Sequence, residues 1–187
     1  MSRGEKIKMD GLEVVERHLI LLLGVKETPI KSDLYLQKEM FILSNSKEEL
    51  KDELNFDKHY YGPYSQILQE ILLKPTYIKD PFDFDGKRIL LSENGKKEYE
   101  RMIKEYSKDK RFSKLLLSLK LIREMYDVLS SNELLFLIYE TYPDYVDFSS
   151  VAKEIINEPM RSRIIDSLFS KGIITDERYK ELKNERK

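Results

Sequence analysis

Two histidines, His18 and His59, and no cysteine are what this 187-residue chain offers to a metal or a nucleophilic site. A zinc centre draws three or four ligands from His, Cys and carboxylates at close spacing, so two distant imidazoles do not make one. His18 lies in an apolar stretch beside Arg17 and His59 lies among tyrosines, which reads as packing or solvation. Asn94-Gly95-Lys96-Lys97 is too short for a phosphate loop, and the full Gly-x-x-x-x-Gly-Lys-Ser/Thr string is absent. No Gly-x-Ser-x-Gly elbow supports a serine nucleophile. The chain reads as one without catalytic apparatus, and neither a cofactor nor a metal is expected.

Residue types suited to binding are better placed. Tyr64, Ser65, Gln66 and Gln69 stand at the start of a short apolar-striped segment. A glutamine can pair with adenine through two hydrogen bonds, and a serine can take a phosphate. Lys87 and Arg88 follow Asp85-Gly86, a strong hairpin signal, and Lys96 and Lys97 open the next helix. Tyr64, Ser65, Gln66 and Gln69 at bases or sugars, with Lys87, Arg88, Lys96 and Lys97 at phosphates, form a candidate site for double-stranded DNA. Against it stand Glu70 on the same segment, the lack of any cation there before Lys74, and Asp80, Asp83 and Asp85 around the hairpin. The 33 Lys and Arg against 34 Asp and Glu give a net charge of −1, so only a local patch would attract nucleic acid. The same features suit an alternative, a protein–protein interaction module that binds no DNA. Tyr60, Tyr61 and Tyr64 around Gly62-Pro63 make an aromatic turn of a kind enriched at interfaces.

The elements that would carry these residues follow from periodicity. Leu12, Val15, Leu19 and Leu22 predict a helix over 11–23, and Leu36, Met40 and Leu43 a second over 30–43, with Thr28-Pro29 as its cap and first turn. A short polar helix follows over 47–54, then an extended stretch over 56–61 and a turn at Gly62-Pro63. Ser65 caps a third main helix, striped by Ile67, Leu68, Ile71 and Leu72 and closed by Pro75. Residues 77–79, 82–84 and 88–91 read as strands, and Ser92 caps a long helix. Beyond it, helices are expected over 115–125, over 132–139, from 149 or 150 to 158, around 164–169 and after Thr175. The fold class is mainly α with a small β-hairpin: an N-terminal winged helix-turn-helix over 10–110, then a helical C-terminal region over 111–187 for dimerisation or partner binding.

Three stretches carry resemblances. Leu36-Gln37-Lys38-Glu39-Met40-Phe41-Ile42-Leu43 with Tyr61-Gly62-Pro63-Tyr64-Ser65 resembles the pattern of YwgA-like proteins and, more loosely, the Panacea antitoxin domain. Leu91-Ser92-Glu93-Asn94-Gly95-Lys96 is similar to the signature ending the wing of MarR and PadR regulators, and residues 168–179, around Gly172-Ile173-Ile174-Thr175, resemble a SHOCT segment. These resemblances imply a small prokaryotic DNA-binding or toxin-neutralising protein acting in transcriptional or antitoxin-like regulation.

Charge is segregated further along. Residues 96–123 hold ten basic against four acidic side chains, and residues 127–158 hold seven acidic against one basic. Such blocks can pair with each other, within a chain or between subunits, or the basic one can bind phosphate. The apolar run 134–138, with Tyr142-Pro143-Asp144-Tyr145, reads first as core and second as a seam in a homodimer. The longest apolar run, 19–25, falls far short of the roughly 20 residues that span a bilayer. With no signal-like start and no cysteine, a cytoplasmic protein is the expectation.

Overall fold

The computed structural model describes residues 10–185, and the chain is mainly helical with two small antiparallel strand pairs. α1 (Gly11–Gly24) starts where the Asp10 carboxylate accepts from the Leu12 N–H, 3.1 Å away. It buries Val14, Val15 and every residue from Leu19 to Leu23, so this helix is apolar nearly all round and runs through the core. Around it stand α2 (Asp33–Ser44), α3 (Glu48–Leu54), α4 (Gln66–Leu73), the hairpin β3 (Phe82–Asp85) and β4 (Arg88–Leu91), and α5 (Glu93–Glu105). The β3–β4 hairpin thus follows α4 directly along the chain and leads into the long helix α5. In the hairpin Phe82 faces Leu91 and Phe84 faces Ile89. Its turn falls on Gly86 and Lys87, with Gly86 at φ 63, a conformation that favours glycine.

Four local expectations are corrected. The second helix begins at Asp33 rather than at 30, because the Ile30 N–H and C=O both bond to Ile89, each at 2.9 Å, as an isolated rung against the hairpin. Gly62-Pro63 is strand rather than turn: β1 (Asp57–His59) pairs with β2 (Gly62–Tyr64), and the reversal falls on Tyr60 and Tyr61. Residues 77–79 form no strand, since the backbone N–H groups of Thr76, Tyr77 and Ile78 all point at the buried Glu16 carboxylate, at 2.9, 3.2 and 2.6 Å. The helix foreseen from 149 shrinks to α8 (Ala152–Ile156). Ser149 instead accepts from the N–H groups of Val151 and Ala152 and donates to the Tyr60 carbonyl at 2.8 Å, pinning the first hairpin.

α6 (Lys110–Tyr126), α7 (Ser131–Thr141), a 3-10 turn (Pro143–Tyr145), α9 (Met160–Ser170) and α10 (Asp176–Asn184) complete the chain. α7 starts in a reciprocal capping box between Ser130 and Glu133. It buries Leu134, Leu135, Phe136, Ile138 and Tyr139, so that apolar run is core. The apolar interior is continuous from Val14 to Leu182.

One side chain ties the early helices to the late ones. Arg123 of α6 is fully buried and donates to the carbonyls of Leu22 (3.0 Å) and Thr28 (2.5 Å) and to Asp127 (3.2 Å). Lys26 also reaches Asp127 at 2.7 Å, while Lys31 and Tyr35 donate to the Leu129 carbonyl at 2.7 and 2.9 Å. Burial pushes the Asp127 carboxyl up, but Lys26 and Arg123 outweigh it and hold its pKa below the usual range. Glu39 of α2 lies 3.6 Å from Arg123, equally buried, and neither of its oxygens receives a hydrogen bond among the described residues. Burial pushes its pKa up to about 8, with Arg123 opposing.

Candidate functional site

The two motif stretches that carry the YwgA-like resemblance meet in space, through a buried polar brace. Gln37 donates from Nε2 to the Ser65 carbonyl (3.1 Å) and accepts from the Ser65 N–H at 2.9 Å. Next to it, Lys38 Nζ donates to the Pro63 carbonyl at 2.9 Å. Burial pulls the Lys38 amine down to about 7, against the pull of Asp33. Three consecutive polar residues of α2, Gln37, Lys38 and Glu39, are thus buried for three purposes: to fix the start of α4, to fix β2 and to face Arg123. Backbone groups that water cannot reach need such partners.

Beside this brace lies a groove of about 480 Å³ between the start of α2, α4 and the β3–β4 hairpin. Leu34, Tyr61, Leu72, Phe84 and Ile89 make its apolar walls, and Asp33, Gln69 and Lys87 its polar points. Phe84 and Tyr61 are each half exposed, at 50 %. Burial pushes the Asp33 carboxyl up. Asp33 Oδ1 and Gln69 Oε1 are buried acceptors with no donor among the described residues.

The sequence-derived candidates scatter around this groove. Gln69 and Lys87 line it. Tyr64 is half-buried with its ring stacked on His59 at 4.9 Å, and burial, with Asp33 and Glu70 near, raises its pKa. Ser65 must be withdrawn as a nucleotide contact. It is 0 % exposed, and its hydroxyl accepts from the Leu68 N–H at 3.1 Å while donating to the Leu54 carbonyl; capping α4 consumes it. Gln66 is exposed but donates to Glu70 at 3.2 Å. Arg88 is paired with Asp85 across the hairpin end. Lys96 is paired with Glu93 at 2.8 Å and lines a different depression, with Thr28, Pro29 and Tyr99. Lys97 is exposed on α5 and makes no ion pair among the described residues. The proposed phosphate contacts therefore do not form one cationic strip.

No protein-family model matches this chain, and no curated protein does.

Sequence reasoning missed the half-buried Leu34 as a groove wall and Phe84 as a surface group. Alternation in β3 places Phe84 on the same face as the buried Phe82, so a second core residue was the natural reading; the hairpin simply outruns the core. His18 is a packing residue: its Nδ1–H donates to the Val14 carbonyl at 2.7 Å, and burial holds its pKa down to about 4. No group of three His, Asp or Glu side chains poised for a metal occurs among the described residues. None of the described helices is long and apolar enough to cross a membrane.

Proposed function

We propose that this protein is a binding protein whose winged helix scaffold grips a segment of another protein in the groove between α2, α4 and the β3–β4 hairpin. The carrying observation is the chemistry of that groove: five apolar or aromatic walls, two of them half-exposed rings, and a single cation, Lys87. A DNA interface concentrates Arg and Lys where its helix meets the duplex. Here α4 contributes Gln66, Gln69 and Glu70 and no cation within its span. A partner segment would place apolar side chains between Phe84, Tyr61 and Leu72 and bring an N–H or a cation to Asp33. An antitoxin-like or regulatory role follows from the resemblances together with such capture.

A second reading, duplex binding in transcriptional control, is favoured by one observation: a capped helix stands beside a two-stranded wing whose tip carries exposed Lys87. A duplex titration at two salt concentrations separates the two. The first reading predicts weak, sequence-indifferent binding that Lys87→Ala leaves unchanged. The second predicts tight binding whose logarithmic salt slope falls by about one unit in Lys87→Ala.

A further inference from the structure

α6 has two apolar sides and only one of them is covered. Leu119, Arg123 and Tyr126 face the interior. On the other side Leu117, Leu121 and Met125 are 59, 49 and 44 % exposed, and Val128, just past the helix end, is 52 % exposed. At about 100° per residue these four fall on one strip together with Lys110, Lys114 and Glu124. Single exposed leucines are ordinary on a protein surface, whereas a row at i, i+4, i+8 and i+11 is the pattern of a helix seam. Charge along the strip is polarised: Lys110 and Lys114 at its start, Glu124 near its end. Lys110 and Lys114 make no ion pair among the described residues, and Glu124 has only a loose 3.8 Å contact with Lys120 of its own helix.

We propose that this strip is where two copies of the chain associate, with their α6 helices antiparallel about a twofold axis level with Leu119. In that register Leu117 of one copy meets Leu121 of the other, and Lys114 meets Glu124. A parallel pairing would set Lys110 and Lys114 against their own copies, which costs free energy. A twofold antiparallel pair also satisfies the self-complementarity that a closed dimer requires. The surface lies on a different element from the α2–α4 groove, and the inference stands whatever that groove binds.

The absence of cysteine makes the test clean. Full-length Leu117→Cys and Leu121→Cys proteins are prepared separately, then mixed and oxidised. The antiparallel register predicts a disulfide dimer in the mixture and little in either protein alone. Self-linking of Leu117→Cys alone would signal the parallel arrangement, and no linking in any sample would remove the seam; either result overturns the proposal. Light scattering is expected to give twice the 22.3 kDa chain mass. Leu121→Glu, with an unchanged circular dichroism melt at low concentration, is expected to raise the dimer dissociation constant by more than about tenfold. A wild-type protein that stays monomeric at high micromolar concentration would overturn the proposal, as would a Leu121→Glu dimer as tight as wild type.

Discussion

Arg123→Met is expected to lower the folding free energy by about 3–5 kcal/mol, the usual cost of removing one partner from a buried ionic cluster. Methionine fills much of the same space, so the loss isolates the guanidinium from its volume. Three groups lose their partner together, the Leu22 and Thr28 carbonyls and the Glu39 carboxyl 3.6 Å away, while Asp127 keeps Lys26. Glu39 gives the loss a pH signature. Its folded pKa of about 8 exceeds the ordinary 4.5, so its contribution to stability is full below about pH 4.5 and is lost as pH rises through 8. Without Arg123 the folded pKa climbs further, and ionising Glu39 becomes still more costly. Urea unfolding should therefore show a larger Arg123→Met loss at pH 9 than at pH 5.5, and adding Glu39→Gln should recover part of the loss at pH 9. A loss independent of pH would show that Glu39 is already satisfied by another route.

Gln37→Ala comes next in size, at about 2–4 kcal/mol. One amide serves both the N–H and the C=O of Ser65, and alanine leaves both unpaired in a site closed to water, at about 1–3 kcal/mol each. The loss has a positional consequence as well. Ser65 caps α4, which forms one wall of the groove, so backbone amide exchange should quicken most at residues 65–68. Measured by urea midpoints and hydrogen exchange, a loss below about 1 kcal/mol, or a uniform rise in exchange, would contradict the bracket's role.

How much of this was legible in the sequence depended on how local the signal was. The β3–β4 hairpin could be read because alternation and a glycine turn are short-range facts. Ser65, Ser92 and Thr175 could be read as caps for the same reason, and all three accept a backbone N–H in that position. The β1–β2 hairpin escaped because its strands have three residues each and Gly62-Pro63, a turn signal, sits inside one of them. Ile30 escaped because its partner, Ile89, is remote in sequence. Nothing local in the polar run Gln37-Lys38-Glu39 announces that Ser65, Pro63 and Arg123 need it inside. On α6 the apolar residues Leu115, Leu116, Leu117, Leu119, Leu121 and Ile122 encircle the helix, so only the packed structure tells which of them are left uncovered.

The charge blocks had a mixed outcome. Arg123 and Asp127 do join the basic block to the acidic one. Most other partners lie elsewhere: Arg101 with Glu98 and Glu105 on its own helix, Glu133 with Lys171, and Glu140 with Arg161 and Arg178. These pairings leave the strip on α6 as the place where cationic Lys110 and Lys114 stand beside uncovered leucines.

The most direct test of the groove is a photo-crosslinking amino acid installed at Phe84, with Leu12 on α1 as the control position. Irradiation in the native cell is expected to give one discrete adduct at Phe84 that protease destroys and nuclease leaves intact, with none at Leu12. An adduct at Phe84 that nuclease collapses to the free chain would contradict protein capture and point to nucleic acid as what the winged face holds.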